Sequence, residues 1–438
     1  MNAVFFYRHG KDGYVSKGRF MRKIIVVTHA GGSPHHGPNM RWYFLGQAMK
    51  HRGVEVEIVS STSFHKYLNP PDIRGGFESR RIDGLVYHWV KSRPYRDRGP
   101  AQVFNQLEFT LRCSMLAASI AERRPDLVVA SSPHPFVVYP ARAIAERSGA
   151  DFVFEVRDLW PEILLEAGRF SRMHPYILLL KAAERFAVKH ASTIVSVKAG
   201  EGEYFEREYG LDPKRFFYAP NGFFPPSFSS SGGALPEAVR AARNEYSFLI
   251  GYVGALSAYY DLERLVGLAE HLRDRRGVGF VVVGQGDRRN LLIRQAERLG
   301  LDNIRFVDAV PRRDVPAVLD CMDACYVGLE DLALHRYGVS CNKIYEYMYA
   351  ARPIIGSYRA GHDPVGRAGC GFVAPPGEYD ALARGVDALV ADPGLAAEYG
   401  RRARKYFDEN HDFRIVSSGL VDRFFGREAT DNIQAKKA

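Results

Sequence analysis

The chain alternates short runs of aliphatic and β-branched residues with longer stretches of helical periodicity. The first run, residues 23–28 (Lys-Ile-Ile-Val-Val-Thr), is apolar at successive positions, as a strand buried on both faces must be. A loop of Gly, Pro and His fills 29–38, and a helical stretch from about 39 to 51 stops at Gly53. Residues 54–60, 127–130, 152–156 and 193–197 repeat the strand pattern with helical segments between them. Such alternation predicts a parallel sheet with helices on both faces.

The rhythm pauses at Pro220-Asn-Gly, and 223–236 is rich in Pro, Ser and Gly, which reads as a hinge. A second series of strand patterns follows at 248–253, 278–283, 304–307, 324–327 and 353–356. The expected fold is therefore α/β, with two doubly wound Rossmann-like domains facing across a cleft. The expected boundaries are 21–222 for the first domain, 223–245 for a linker and 246–400 for the second domain. The last helix is expected near 392–408. Residues 401–438 are expected to return toward the first domain and end in a polar tail, and 1–20 to be a disordered extension. Ligands of such folds bind beyond the carboxyl ends of the strands.

A length of 438 residues suits two domains. The formal charge of +10 calls for an anionic partner, a phosphorylated substrate or an anionic membrane surface. The charge is dispersed and no nucleic-acid module is visible, so nucleic acid is not expected. No apolar run approaches the roughly 18 residues that span a bilayer, and residues 1–20 lack the apolar segment of a signal peptide. A cytoplasmic location is expected, with peripheral contact at the inner face of the membrane. Five irregularly spaced cysteines argue against a disulfide framework. Cys321 and Cys325 read as a buried pair rather than metal ligands. Two stripes could lie on lipid: Phe104, Leu107, Leu111 and Met115, and Lys181, Arg185 and Lys189 among Ile177, Leu178, Leu180 and Phe186. Apolar stripes are also what Rossmann helices bury, and that reading is preferred for both.

Four segments together resemble the family 4 (group 1) retaining glycosyltransferases over nearly the whole chain. They are Gly-Gly-Ser-Pro-His-His-Gly at 31–37, Pro-Asn-Gly at 220–222, Gly-Gln-Gly-Asp at 284–287, and the stretch 341–355 that begins Cys-Asn-Lys-Ile-Tyr-Glu. Ser-Pro-His-His-Gly at 33–37, Arg-Asp-Leu-Trp-Pro-Glu at 157–162 and Tyr-Gly-Val-Ser at 337–340 are similar to the bacterial branch that builds O-antigen and exopolysaccharide. The resemblance implies transfer of a hexosyl group, in that branch an N-acetylated deoxyhexose, from a nucleoside-diphosphate sugar such as a UDP-sugar. The acceptor would be a glycan or a polyprenyl-diphosphate-linked sugar, with retention and no added cofactor.

Within that resemblance the residues take roles. A helix opening after Ser340, its expected N-cap, would hold the donor diphosphate with the backbone at Cys341 and Asn342 and the Lys343 ammonium. Glu346, one turn on, would accept from the ribose. Gly284, Gly286 and Val310 would let backbone approach the nucleotide, and Gly31, Gly32 and Gly37 would present amides to the sugar and phosphate. His134 is a candidate beside the donor sugar, with a packed loop histidine as the alternative. Asp158 would position the acceptor hydroxyl, and Arg157, Glu162 and His36 would contact the acceptor. The chain departs from the family where an earlier Glu is replaced by Gly338. It departs again where an Arg and a Lys after residue 253 are replaced by Gly-Ala-Leu-Ser-Ala-Tyr-Tyr-Asp; Lys343 and Arg336 are expected to compensate. No Asp-x-Asp occurs, so no metal is expected under the diphosphate.

Three other classes are weighed. A nicotinamide dehydrogenase needs G-x-G-x-x-G after the first strand, and that spacing is absent. A UDP-sugar epimerase of the same two-domain shape and a non-catalytic nucleotide-sugar-binding protein stay open.

Overall fold

Alternate residues of the first strand face two different cores, and this decides the architecture of the first domain. The computed structural model describes residues 22–37, 39–95, 99–168, 170–225 and 234–426. The expected extension at 1–20, the tail at 430–438 and the middle of the expected hinge lie outside the described residues. In β1 (Arg22–Val27), Ile25 and Val27 point into one core while Ile24 and Val26 point into another. β1 is central in an eight-stranded sheet with β2 (Val54–Ser61), β3 (Phe77–Ile82), β4 (Leu85–Val90), β5 (Leu127–Ser131), β6 (Asp151–Val156), β7 (Thr193–Ser196) and β8 (Phe216–Tyr218). The order is β3-β4-β2-β1-β5-β6-β7-β8, parallel except for β3. The helices of this half are α1 (Arg41–Lys50), α2 (Pro100–Met115), α3 (Ala117–Ala121), α4 (Val138–Ser148), α5 (Trp160–Glu166), α6 (Pro175–His190) and α7 (Glu201–Tyr209).

The second sheet has six parallel strands: β9 (Phe248–Val253), β10 (Val278–Val283), β11 (Ile304–Val307), β12 (Ala324–Gly328), β13 (Ile354–Ser357) and β14 (Gly371–Ala374). Their order is β11-β10-β9-β12-β13-β14. Around it lie α8 (Glu237–Glu245), α9 (Glu263–His271), α10 (Arg289–Arg298), α11 (Val315–Asp320), α12 (Asn342–Tyr349), α13 (Pro364–Ala368), α14 (Tyr379–Ala391) and α15 (Pro393–Asn410). A last helix, α16 (Phe413–Phe425), leaves this domain and packs on α1, adding Phe413, Val416, Leu420 and Val421 to a core of the first domain. The sheet orders reverse between β1 and β5 and between β9 and β12. Those are the crevices where ligands of open α/β sheets bind.

Several elements differ from the expected pattern. β3 and β4 form a hairpin about Asp83 and Gly84, both with positive φ, the Asp-Gly signal of a two-residue turn. β3 is an exposed edge carrying Glu78, Arg80 and Arg81, so its charges cover an open strand edge. Residues 237–245, expected within the linker, form α8, whose Val239 and Ala242 are buried on the second sheet. The stripe Phe104, Leu107, Leu111 and Met115 is exposed rather than buried, with Phe104 at 72% and Met115 at 77%. α2 packs instead through Asn105, Gln106, Phe109 and Cys113. On α6, Lys181 turns inward to Glu162, while Leu178, Leu179, Arg185 and Lys189 face out.

The chain crosses between the domains twice, and the two crossings pair. Phe223 and Asp412 form a parallel bridge, and Phe413 N–H donates to the Phe223 carbonyl at 3.1 Å. A side chain at Gly222 would run into the His411 carbonyl, so the Pro-Asn-Gly motif is a close-approach requirement. Arg41 anchors this crossing: it donates to the carbonyls of Pro220 at 2.7 Å and Ala219 at 2.8 Å, and to Glu155 Oε1 at 2.9 Å. Trp42 Nε1 and Ser131 Oγ donate to the other Glu155 oxygen.

The Arg41 and Glu155 side chains are 2% and 0% exposed, so neither charge has water as a fallback. Replacing Arg41 by Met is expected to cost about 3–5 kcal/mol, read as a lower urea midpoint, because Glu155 is left buried and unpaired. Burial pushes the Glu155 carboxyl up, but Arg41, Ser131 and Arg157 outweigh it and hold it below the ordinary 4.5. Its stabilising contribution is complete above that value and is lost as pH falls through the lower folded value. The wild-type urea midpoint should therefore fall as the solution is acidified below about pH 4.5, and less steeply in Arg41→Met.

Candidate active site between the domains

α12 opens toward the cleft with an uncapped N-terminus. Its cap position is Cys341, not Ser340, and no side-chain oxygen caps its first turn. The amides there are those of a helix start, with the Cys341 thiol beside those of Lys343 and Ile344, backed by the positive end of the dipole. The helix is held in place by Tyr347, whose phenol accepts from the Val253 amide at the end of β9 at 3.0 Å. That contact sets the first turn of α12 against the loop that follows β9.

Lys343 is 8% exposed and lies in that first turn. Its Nζ is 4.2 Å from the centre of the Tyr260 ring and 5.3 Å from that of Tyr252. Among the described residues no carboxylate stands within ion-pair distance of it. Aromatic faces lower the cost of a desolvated ammonium without neutralising it. Burial pulls its pKa below the ordinary 10.5, opposed by Cys341 and Glu346. Gly254, with φ +145°, is where a side chain would collide with this ammonium. The segment lacking the family's Arg and Lys thus supplies an aromatic cradle for Lys343 and the space for its head group.

Glu346 accepts from Arg312 Nη1 at 3.0 Å. Arg312 follows β11, two residues after Val310, and is a cation beside the candidate donor site that sequence reasoning missed. Arg336, expected to compensate for the missing cations, instead stacks on Tyr337 at 4.7 Å and donates to its phenol at 2.8 Å. Gly284 and Gly286 lie against the backbone carbonyls of Gly254 and Leu256, where a side chain would clash. Their nearest reason for being glycine is the packing of two loops on each other. Val310 is half-buried against the second core.

The first-domain loop differs from expectation. Among Gly31, Gly32 and Gly37 positive φ occurs at Gly37 alone, 108°. All three amides are used internally: Gly31 donates to Ser60 Oγ at 2.7 Å, Gly32 to the Asn39 carbonyl and Gly37 to the Ser33 carbonyl. His36 is buried against Trp89, with Nδ1 2.7 Å from Ser33 Oγ. Burial, then His35 and Arg80, lower its pKa to about 4, so the ring is neutral, and its bond to Ser33 braces the loop.

His134 is fully buried beneath the ends of β1 and β5, 4.9 Å ring to ring from His29. Neither of its ring nitrogens has a hydrogen-bond partner. Burial and then His29 hold its pKa well below the ordinary value, so the ring is neutral. Two unpartnered nitrogens in a dry setting are costly, and such groups collect at sites that a ligand completes.

The strand ends of β6 and β7 bring three more groups to the cleft. Arg157 donates its amide to Ser132 Oγ at 2.9 Å and reaches Asn39 Oδ1 at 3.4 Å. It has no ion pair among the described residues. Asp158 is half-exposed, with Oδ1 3.8 Å from Lys198 Nζ. Glu162 turns away from the cleft centre to Lys181, and its Oε1 accepts from Tyr204 at 3.3 Å. It tethers α5 to α6 and α7, and also lines a pocket of about 470 Å³ with Leu165, Phe170, Arg172, Leu334 and Arg336. Nearby, Glu166 accepts from the backbone amides of Ala333 and Leu334 across the domain gap.

Comparison with known proteins bears on the fold and the family. Residues 36–222 match the family described as glycosyl transferase 4-like domain, and residues 237–406 match glycosyl transferases group 1. WbjE of Pseudomonas aeruginosa, described as a probable glycosyltransferase, is 23% identical over 381 residues, which is 84% of this chain and 90% of that protein. Among solved structures, WaaG, a glycosyltransferase involved in lipopolysaccharide biosynthesis, superposes with TM-score 0.61 at 17% identity, over 92% of this chain and 100% of that one. HepE of Anabaena in complex with UDP superposes with TM-score 0.61 at 16% identity, over 91% of this chain and 98% of that one.

An anion bound at Lys343 should raise the pKa that burial has lowered, so the complex takes up a proton at alkaline pH. Titration calorimetry with a nucleoside diphosphate in two buffers of different ionisation enthalpy is expected to show that uptake. Affinity should fall as pH rises through the free-protein value, and Lys343→Ala should lose both effects. The two matched families cover both domains in order, and the chain belongs to the group 1 glycosyltransferases of the GT-B fold.

Proposed function

We propose that this glycosyltransferase moves a hexosyl group, with retention, from a UDP-sugar to a glycan or polyprenyl-diphosphate-linked acceptor in cell-surface polysaccharide synthesis. The observation that carries the donor side is the Lys343 ammonium: buried, ringed by Tyr252 and Tyr260, without a carboxylate partner, and at the N-terminus of α12. A diphosphate is the ligand that such a place suits, since it engages the helix-start amides and the ammonium together. HepE, which was solved with UDP, supports the choice of base. WaaG, which acts in lipopolysaccharide biosynthesis, supports the class of product.

The reaction we infer breaks the bond between the sugar C1 and the leaving diphosphate oxygen. The acceptor oxygen forms its bond to C1 on the same face, and its proton passes to the departing diphosphate. Lys343 and the amides at Asn342 and Lys343 stabilise the negative charge that grows on the leaving group. Asp158 orients the acceptor hydroxyl from the first domain, and Arg157 accepts an acceptor phosphate. No metal step is invoked. Positioning across the cleft supplies the rest of the acceleration.

The acceptor side extends to a membrane surface in this proposal. Phe104, Leu107, Leu111 and Met115 stand exposed along α2, with Arg93 and Arg112 nearby on the surface. Among the described residues no helix is long and apolar enough to cross a membrane. An exposed apolar stripe with arginines suits an anionic bilayer surface.

Thermal stabilisation against UDP, GDP, dTDP, ADP and NAD, with and without Mg²⁺, tests the donor reading. UDP is expected to raise Tm without Mg²⁺ in the wild type and to fail on Lys343→Ala and Glu346→Ala. A response to NAD alone, or to none of the five, would reject it. Flotation with vesicles of phosphatidylcholine and phosphatidylglycerol tests the surface: Phe104→Ser combined with Leu111→Ser is expected to release most of the bound protein. Equal binding to neutral vesicles, or no effect of the pair, would remove the membrane contact from the proposal.

A further inference from the structure

Glu184 is a carboxyl group 2% exposed on the inner side of α6, and among the described residues no cation stands within ion-pair distance of it. Two phenols of α7 hold it instead. Tyr204 donates to its Oε2 at 2.8 Å, and Tyr209 donates to the same oxygen. Burial pushes the Glu184 carboxyl up to about 7; Tyr209, Tyr204 and Lys181 work against that rise, and the Glu162 charge adds to it. Burial and then Glu184 push the Tyr204 phenol up, so Tyr204 keeps its hydrogen.

Two carboxylates compete for that hydrogen. The Tyr204 hydroxyl lies 2.8 Å from Glu184 Oε2 on α6 and 3.3 Å from Glu162 Oε1 on α5, and it accepts from Lys181 Nζ at 3.1 Å. A phenol has one hydrogen, so it donates to one carboxylate at a time. With Glu184 ionised, the shorter bond takes it, and Lys181 alone holds Glu162. A proton on Glu184 Oε2 makes that oxygen a donor to the Tyr204 oxygen, and the Tyr204 hydrogen passes to Glu162. Glu184, Tyr204 and Glu162 then join α6, α7 and α5 in one relay. The other charges around α6 are engaged elsewhere. Glu155 of β6 is paired with Arg41, and Arg142 and Glu146 of α4 pair with each other and act on His190 at the far end of α6. Arg215 donates to the carbonyls of Val188 and Ala191.

α5 and α7 are also the elements that receive the turn Ala333–Tyr337 of the second domain. Glu166 on α5 accepts from the amides of Ala333 and Leu334. The Gly200 amide, at the start of α7, donates to the Tyr337 carbonyl at 2.9 Å, and Arg207 on α7 donates to the Tyr337 phenol at 2.7 Å. Tyr337 is 2% exposed within a core of the first domain, its ring 5.9 Å from that of Tyr204. The spacing of α5 and α7 therefore decides how well the turn seats, and the same turn leads through Gly338 into α12. We propose that Glu184 is a proton switch beneath the domain interface: protonated, it lets Tyr204 tie α7 to α5 and so grip the Ala333–Tyr337 turn; ionised, it withdraws that tie and loosens the turn. In this device the docked state binds the proton more tightly. Docking is then strongest below the docked value near 7 and weakens as pH rises through it. The switch does not depend on which donor or acceptor the enzyme takes.

Hydrogen exchange on the full chain reads the turn directly. Protection factors for residues 331–338, which remove the intrinsic effect of pH on exchange, are compared at about pH 6 and about pH 8 in wild type, Glu184→Gln and Tyr204→Phe. Wild-type protection is expected to fall roughly threefold to tenfold at the higher pH, a factor of about ten for each unit by which docking raises the Glu184 pKa. Glu184→Gln, whose amide can donate to Tyr204 as the protonated acid does, should keep the higher protection at both pH values. Tyr204→Phe cannot pass the bond to Glu162 and should show the lower protection at both. β10, in the core of the second domain, is the control, and a parallel fall there marks general loosening and overturns the switch. Wild-type protection that ignores pH also overturns it, as does a Glu184→Gln variant that retains the wild-type pH ratio. Protection lowered equally at both pH values in Glu184→Gln would make Glu184 a brace and no switch.

Discussion

The buried Arg41–Glu155 pair is the constraint on which the rest of the molecule depends. Arg41 is spent on Glu155 and on the carbonyls of Ala219 and Pro220, where the chain leaves the first domain. The next residue, Asn221, offers its carbonyl to His411 Nδ1 at 2.8 Å, where the chain comes back. His411 in turn stacks on Tyr345 of α12 at 4.1 Å. A line of contacts therefore leads from a salt bridge in the first core to the helix that presents Lys343. The cleft has its shape because both crossings are fixed at one point, and Gly222 lets them approach.

From that point the two sheets place their switch-point loops against each other. The first domain contributes the ends of β5, β6 and β7, with His134, Arg157, Asp158 and Lys198. The second contributes the loops after β9 and β12, with Tyr259, Tyr260, His335 and the start of α12. The charges are unevenly satisfied. Glu162, Glu166 and Glu201 are committed to internal partners, whereas Lys343 has no carboxylate within ion-pair distance among the described residues and Arg157 interacts with Glu155 and Asp158 only at longer range. A cleft whose cations are left over is arranged for an anion that arrives. The neutral histidines His29, His36, His134 and His335, all pushed down chiefly by burial, add no charge to it.

The structure gives several of the sequence motifs a different physical reason from the one expected. The stretch 341–355 does open a helix toward the cleft, yet its cap falls on Cys341 and no serine hydroxyl caps it. Gly284 and Gly286 follow a strand as expected, but the carbonyls of Gly254 and Leu256 account for them. The loop at 31–37 is closed on itself, because each of its glycine amides finds a partner within reach. The stripe on α2 is the plainest reversal: periodicity gives a helix with one apolar row, and it cannot say that Phe109 and Cys113 on another row meet the core first.

By itself, the sequence determined the two βα series, the pause between them and the strand ends where chemistry would gather. It could do so because the periods of 2 and 3.6 and the local backbone demands of Gly and Pro act over a few residues. The Asp83-Gly84 turn carries a local signal of the same kind, although the expected strands did not include its hairpin. Tertiary structure alone decided which residues share the cleft. Lys198 and His335 are far apart in the chain, as are Lys343 and Tyr260. Arg312 and Glu346 pair at 3.0 Å from separate elements. Such partnerships are set by sheet order, by the return of α16 to α1 and by the paired crossings, and long-range packing of that kind leaves no periodic trace in the chain.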